Sequence, residues 1–224
     1  MNFSEQQTLL SELLGDPNTD SDDMFPSARR LAALNRGDIQ FCEDSLCVKE
    51  YATGTVASSK IDCPSGWVKN HCLIINDEVI DDWRQIDLHQ WERYVQNNSE
   101  EPFYYLWTFS GTKSMRFLSN ANVNGKTYYL YYFKKQTSAL ALDADESIIP
   151  DQYREAPVFY AAYWLFLQIG QYQRAAAMKN VYDDFVAKAD AASRREFLQE
   201  NRPSPDTGDQ RLFGGYRQGD GGYR

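Results

Sequence analysis

Between residues 48 and 133 the apolar side chains stop recurring at helical spacing. They come instead in short runs of Val, Ile, Tyr, Trp and Phe broken by Gly, Asn and Ser. A helix repeats every 3.6 residues and a strand every two, so this switch divides the chain. VKEYATGTV, SGWVKNHCLIIND, EVIDDWRQI, EPFYYLWTFSG, KSMRFLSN and KTYYLYYFKK read as strands. Asn124-Gly125, between Arg116–Asn120 and Thr127–Phe133, predicts a hairpin turn joining those two runs. Residues 87–98 break the strand pattern: Leu88, Trp91 and Val95 fall at helical spacing and predict a short helix.

On both sides of this stretch the period is helical. Residues 4–14 carry Leu9, Leu10, Leu13 and Leu14 on one stripe, with Ser4 and Gln7 as a capping pair and Gly15 as the stop. Residues 24–44 offer Phe25, Leu31, Ala32, Leu34, Ile39 and Phe41 as an apolar face, weakened at Gly37. After a loop over 136–150, residues 151–200 set Val158, Ala162, Leu165, Ile169, Tyr172, Ala176, Phe185 and Ala189 on one face. Phe159, Tyr163 and Phe166 widen it. Gly170-Gln171 predicts a break into two helices. The expected fold is α+β. Helices from 1–46 and 136–200 form a bundle, 47–135 is a β-rich insertion shaped as a sandwich or barrel, and 201–224 is a flexible arm.

Rings are abundant, with 15 tyrosines among the aromatics. The strands 103–109 and 127–133 carry them on both faces: Tyr129, Tyr131 and Phe133 on one side of the second, Tyr128 and Tyr132 with Leu130 on the other. Such a strand is either covered on both faces or turns its outer face to a neighbour. A sugar-binding platform that includes Trp107, Tyr129 or Tyr131 is the rival reading. The arm is different again. Six of the 13 glycines lie there, yet Leu212, Phe213, Tyr216 and Tyr223 sit among arginines such as Arg211. A segment this poor in apolar residues cannot offset its own ordering entropy when free. Its rings suit an arm that folds onto a partner, where a plain linker would be Gly- and Ser-rich.

Charge and motifs exclude several classes. The formal net charge of −9 does not draw the chain to DNA or to anionic lipid. No apolar run approaches a membrane span, and the acidic, amphipathic N-terminus lacks the pattern of a signal peptide, so a cytoplasmic product with reduced cysteines is expected. Of the two histidines, His71 and His89, neither lies in a catalytic motif, and no phosphate-binding Gly-rich loop is present. Cys42, Cys47, Cys63 and Cys72 are spaced more widely than zinc knuckles, and His71 beside Cys72 would point to the opposite face of a strand. The acidic loop 16–23 lacks the Gly and Glu positions of a calcium loop. The carboxylates at Asp81-Asp82 and in 143–146 (DADE) read as turn chemistry. No catalysis, cofactor or metal is expected.

The order of features in the C-terminal half resembles the head–tail connector, or adaptor, proteins of tailed bacteriophages. A Tyr-rich strand (Leu130 to Phe133) leads into an acidic stretch (Leu142 to Asp145). Ile149-Pro150 with Tyr153 then opens a helix, and an alanine-rich helix with Tyr182 and Phe185 follows. The motif-level likeness covers about 127–190, and the β-rich insert departs from the smaller all-helical connectors.

The resemblance implies a structural virion protein at the head–tail junction, assembled in the host cytoplasm. It implies a ring, usually of twelve subunits, that docks on the portal protein, extends the DNA channel and meets a downstream tail or nozzle protein. DNA would pass without sequence-specific binding, and no membrane is involved. Arg211, Leu212, Phe213, Tyr216 and Tyr223 are the expected portal-binding residues, since in several relatives such an arm reaches the portal. Tyr163, Ala175, Ala176, Tyr182 and Phe185 are the expected subunit-interface residues. The alternative is a carbohydrate-binding β module with a helical oligomerisation region.

Overall fold

The computed structural model describes residues 1–15, 24–80, 84–98, 100–109, 111–118, 121–142 and 144–200. Helix α1 (Phe3–Leu14) begins at Asn2 rather than at the expected Ser4. The Asn2 side chain accepts from the Glu5 N–H at 2.9 Å, and the Glu5 carboxylate accepts from the Asn2 N–H at 2.8 Å. The reciprocal cap is therefore Asn2–Glu5, which also places a carboxylate at the positive start of the helix. Gly15 ends it at φ 65°.

Helix α2 (Ser27–Ser45) follows Pro26, and α4 (Ala156–Gln168) and α5 (Tyr172–Glu200) form a helical hairpin. The expected break falls between them, with Gly170 at φ 74°. Helix α4 is apolar nearly all round, because α1, α2 and α5 all pack on it. Two apolar clusters run along this contact. One joins Phe3, Leu10 and Leu34 to Leu165, Phe166 and Ala175. The other joins Phe41 and Cys42 to Ala156, Tyr160 and Tyr182. Gly37 weakens α2 for a reason the sequence pattern hides. A Cβ there would lie 2.4 Å from the Pro157 carbonyl oxygen, so the missing side chain is what lets α2 and α4 approach.

A polar seam closes this region. The Arg154 guanidinium donates to the Ile149 and Met1 carbonyls, each at 3.1 Å, and pairs with Glu146 and Asp151. Asp38 is fully buried beside it and accepts from the Ser147 hydroxyl. Burial pushes the Asp38 carboxyl up to about 6, against the Ser147 hydrogen bond and the Arg154 charge, which both favour the anion.

The strands form two antiparallel sheets. In the four-stranded sheet the order is β1 (Lys49–Thr55), β7 (Thr127–Lys134), β3 (Trp67–Ile75), β4 (Glu78–Ile80). The three-stranded sheet runs β2 (Lys60–Asp62), β6 (Thr112–Phe117), β5 (Tyr104–Phe109). Ile61, Leu73, Ile80, Tyr104, Met115 and Leu130 from both sheets share one core. Among the described residues neither sheet closes into a barrel, so the barrel-like alternative gives way to two open layers.

The expected hairpin at Asn124-Gly125 also needs correction. The turn exists, with Gly125 at φ 75°, but β6 and β7 do not pair. The Asn124 side chain bonds Ser59, and the Gly125 N–H donates to Val56, so the turn ties down the β1–β2 connection while the chain crosses between sheets. Helix α3 (Leu88–Gln96) is present as expected, capped by Asp87 with Gln90. The two regions meet where α2 runs into β1, with a Lys135–Glu43 ion pair at 2.6 Å across the junction.

Candidate assembly surfaces

The five helical residues expected at a subunit interface divide by exposure. Ala175 and Tyr182 face inward. Ala175 packs in the Phe3–Phe166 cluster, and Tyr182 lies between Phe41 and Tyr160 with its hydroxyl 2.7 Å from an Asp44 carboxylate oxygen. Burial, then the neighbouring Asp44, hold that phenol strongly towards its neutral form. These two side chains do their packing within the chain, so neither presents a surface to a neighbour. Ala176 is exposed on the other side of α5.

Tyr163 and Phe185 are half-buried, and Phe159 completes their group. Phe159 stacks on Phe185 with centroids 5.9 Å apart, Tyr163 meets Tyr160 at 5.8 Å, and the Lys188 ammonium sits 5.5 Å over the Phe185 ring. Phe159 and Tyr163 are one helical turn apart on α4, so they share a face. The result is an aromatic strip in the α4–α5 groove. At the hairpin tip, Tyr172 is 70% exposed beside a hollow of about 360 Å³ lined by Gly170, Gln171 and Arg174.

A larger surface lies in the β region. On β7 the inward residues Leu130 and Tyr132 are buried, while Tyr129 and Tyr131 are each 42% exposed. Register aligns Tyr51 of β1 with Tyr131 and Cys72, and Thr53 with Tyr129 and Ile74. Tyr51 is 65% exposed, its ring 6.3 Å from that of Tyr131, and Val79 of β4 extends the face beyond Ile74. Although β7 is an interior strand of its sheet, its outer face is open at Tyr129 and Tyr131, while Phe133 on the same face is buried beside His71. Tyr51 was the residue that sequence pattern did not single out. Its only signal was the alternation of K-E-Y-A-T-G-T, which a strand lining up with β7 converts into a ladder.

Trp107 does not join these rings. It lies on the outer face of the three-stranded sheet, under the Arg116 guanidinium and 5.8 Å from Tyr105. Helix α3 covers part of that face, with Trp91 at 4.3 Å from Tyr105 and Tyr94 stacked on Phe103. The helix is strongly amphipathic yet has no buried residue, and Leu88 and Val95 stay 53% and 49% exposed.

The expected portal-binding residues Arg211, Leu212, Phe213, Tyr216 and Tyr223 lie outside the described residues, as do the loop 16–23, Asp81-Asp82 and Asp143. Asp145 accepts two backbone N–H bonds, from Ala141 and Leu142, which hold its carboxyl below the usual range and make it a turn residue. Cys42 packs among the helices and Cys63 against the β core, both thiols pushed up by burial, to about 12 and about 11. Among the described residues no three His, Cys, Asp or Glu side chains gather as a metal site, and no helix is long and apolar enough to cross a membrane.

Comparison with family models adds a match. The family model described as SU10 adaptor protein matches residues 1–206, taking in both the helices and the β region. No curated protein matches the chain.

Proposed function

The chain belongs to the SU10 adaptor protein family, a phage head–tail adaptor family, and is thereby a virion component; from that premise we propose that it forms a connector ring beneath the portal. The ring docks on the portal protein, extends the DNA channel and joins it to a downstream tail protein, twelve subunits being the number the family resemblance implies. The helices form the bundle of the ring wall, and the β region projects from it as an insertion. The observation that carries this reading is the family match across helices and β region alike, in a chain whose rings are left uncovered on two sides. The largest exposed apolar patch on a monomer is often a functional one.

The roles divide as follows. The Phe159–Tyr163–Phe185 strip and Ala176 are subunit contacts of the bundle, and Arg211, Leu212, Phe213, Tyr216 and Tyr223 are the portal-binding arm. The net charge of −9 suits a channel that must not grip DNA. The adaptor works through surfaces, with no catalytic step and no cofactor. Electron microscopy of the purified chain mixed with a portal tests this. A ring stacked on the portal is the expected result, and a portal that stays bare refutes it. Truncation after Asn201 is expected to leave the fold intact and weaken attachment.

The exposed tyrosines also support a second reading, a carbohydrate-binding module. They lie side by side on one flat face, which suits a sugar ring, but Trp107 lies on the other sheet and does not converge with them. Retention on immobilised glycan that Tyr131→Ala abolishes would favour that reading over the first.

A further inference from the structure

Two uncovered apolar patches lie on opposite sides of the same layered unit. On one side is the outer face of the four-stranded sheet, with Tyr51, Tyr129 and Tyr131. On the other is the α3 side of the three-stranded sheet, where Leu88 and Val95 flank a helix whose apolar side is only partly covered. Between them stand both sheets and the core they share. We infer that the sheet face of one subunit seats against the α3 side of the next copy of this chain. The inference rests on the ring reading and names the surface through which the β regions join.

Two observations favour a second copy in this arrangement. First, the geometry is head-to-tail. A contact between unlike faces repeats from copy to copy, as a ring requires, whereas pairing the tyrosine face with itself would end at a two-fold dimer and leave α3 bare in both copies. Second, the area is small. A tyrosine buries about 150–250 Å², so rings exposed at 65%, 42% and 42% leave on the order of 300 Å². A stable two-chain complex needs about 800 Å² per partner. The patch is therefore one contact among several, as in a ring where the helices also touch.

The test is a mixing experiment on the full chain, read by sedimentation velocity. Tyr131→Asp spoils the sheet face and Val95→Asp spoils the helix side. The wild type is expected to form species beyond a dimer, and each variant alone to associate at least about tenfold more weakly and sediment as a single chain. An equimolar mixture has one intact pair of faces and is expected to stop at a dimer. Tyr131→Phe should assemble like the wild type, and near-ultraviolet circular dichroism should show every variant folded. A mixture that stays monomeric, a variant that assembles like the wild type, or a wild type that never associates overturns the inference. The ring reading is judged separately in micrographs with the portal. Rings built from either variant sink this interface and keep that reading, whereas a bare portal sinks the reading itself.

Discussion

The helical region and the β region handle their rings in opposite ways. In the helices, Phe3, Phe25, Phe41, Phe166 and Tyr182 are sealed against neighbours within the chain, Phe159, Tyr163 and Phe185 are half-buried, and the exposed apolar residues are scattered, as with Met24, Ile39, Leu142 and Tyr172. In the β region, Tyr51, Val79, Tyr129 and Tyr131 are exposed together on one face, with Leu88, Val95 and Trp107 on the other side. The difference separates the rings that hold the monomer together from those left open to the proposed assembly contact. A residue sealed in the first region holds the monomer together, while a ring on the open sheet contributes little until a neighbour covers it.

Substitutions can break that contrast. Phe41→Ala empties a fully buried site between Tyr153 and Tyr182 and should cost about 3–5 kcal/mol in urea unfolding. A cost below about 1 kcal/mol would mean that the helical core is not what holds the fold. Asp38→Asn should act in the other direction. The fold favours the neutral carboxyl, with its pKa raised from 3.8 to about 6, so the unfolded chain gives up the proton first. Stability is then lost as pH rises from about 4 to about 6, by roughly 2–3 kcal/mol at most. The asparagine variant should be more stable at pH 8 by up to that amount and should unfold with little pH dependence across the window. An unchanged pH profile would show that Asp38 is not the group that titrates.

Gly37→Ala should cost about 1–3 kcal/mol, because the new methyl meets the Pro157 carbonyl and α2 must move away from α4. Thermal melting checks it, and a variant as stable as the wild type would show that the helices are free to shift. The smallest effect on the monomer belongs to Tyr131→Ala, within about 0.5 kcal/mol by urea unfolding. A larger loss would place Tyr131 in the monomer's own core and erase the distinction between the two regions.

Local features were legible in the sequence where a neighbour in the chain decides them. Gly15 and Gly170 mark stops because a positive φ suits glycine, and α3 announces itself through the helical spacing of Leu88, Trp91 and Val95. Pairing was not legible. Asn124-Gly125 makes its turn, yet β7 goes to β1 and β3, contacts set by distant residues such as Ala52 and Leu73 opposite Leu130. The three-residue β2 carries too little pattern to be seen. For the same reason the placement of the candidate interface residues was not legible. Tyr163 and Phe185 are both half-buried beside the Tyr160–Tyr182 cluster, but a single helix period did not show that Tyr182 turns towards Asp44 or that Ala175 meets the α1 side. Tyr51 became a candidate only once register placed it beside Tyr131.

Hydroxyl-radical footprinting of Tyr129 and Tyr131, free and in portal-bound particles, tests the division between the two regions most directly. Strong labelling of both rings in the free chain and protection after assembly is the predicted result. Equal labelling in the two states would mean that the sheet stays bare in the virion, and the assembly role assigned to it would fail.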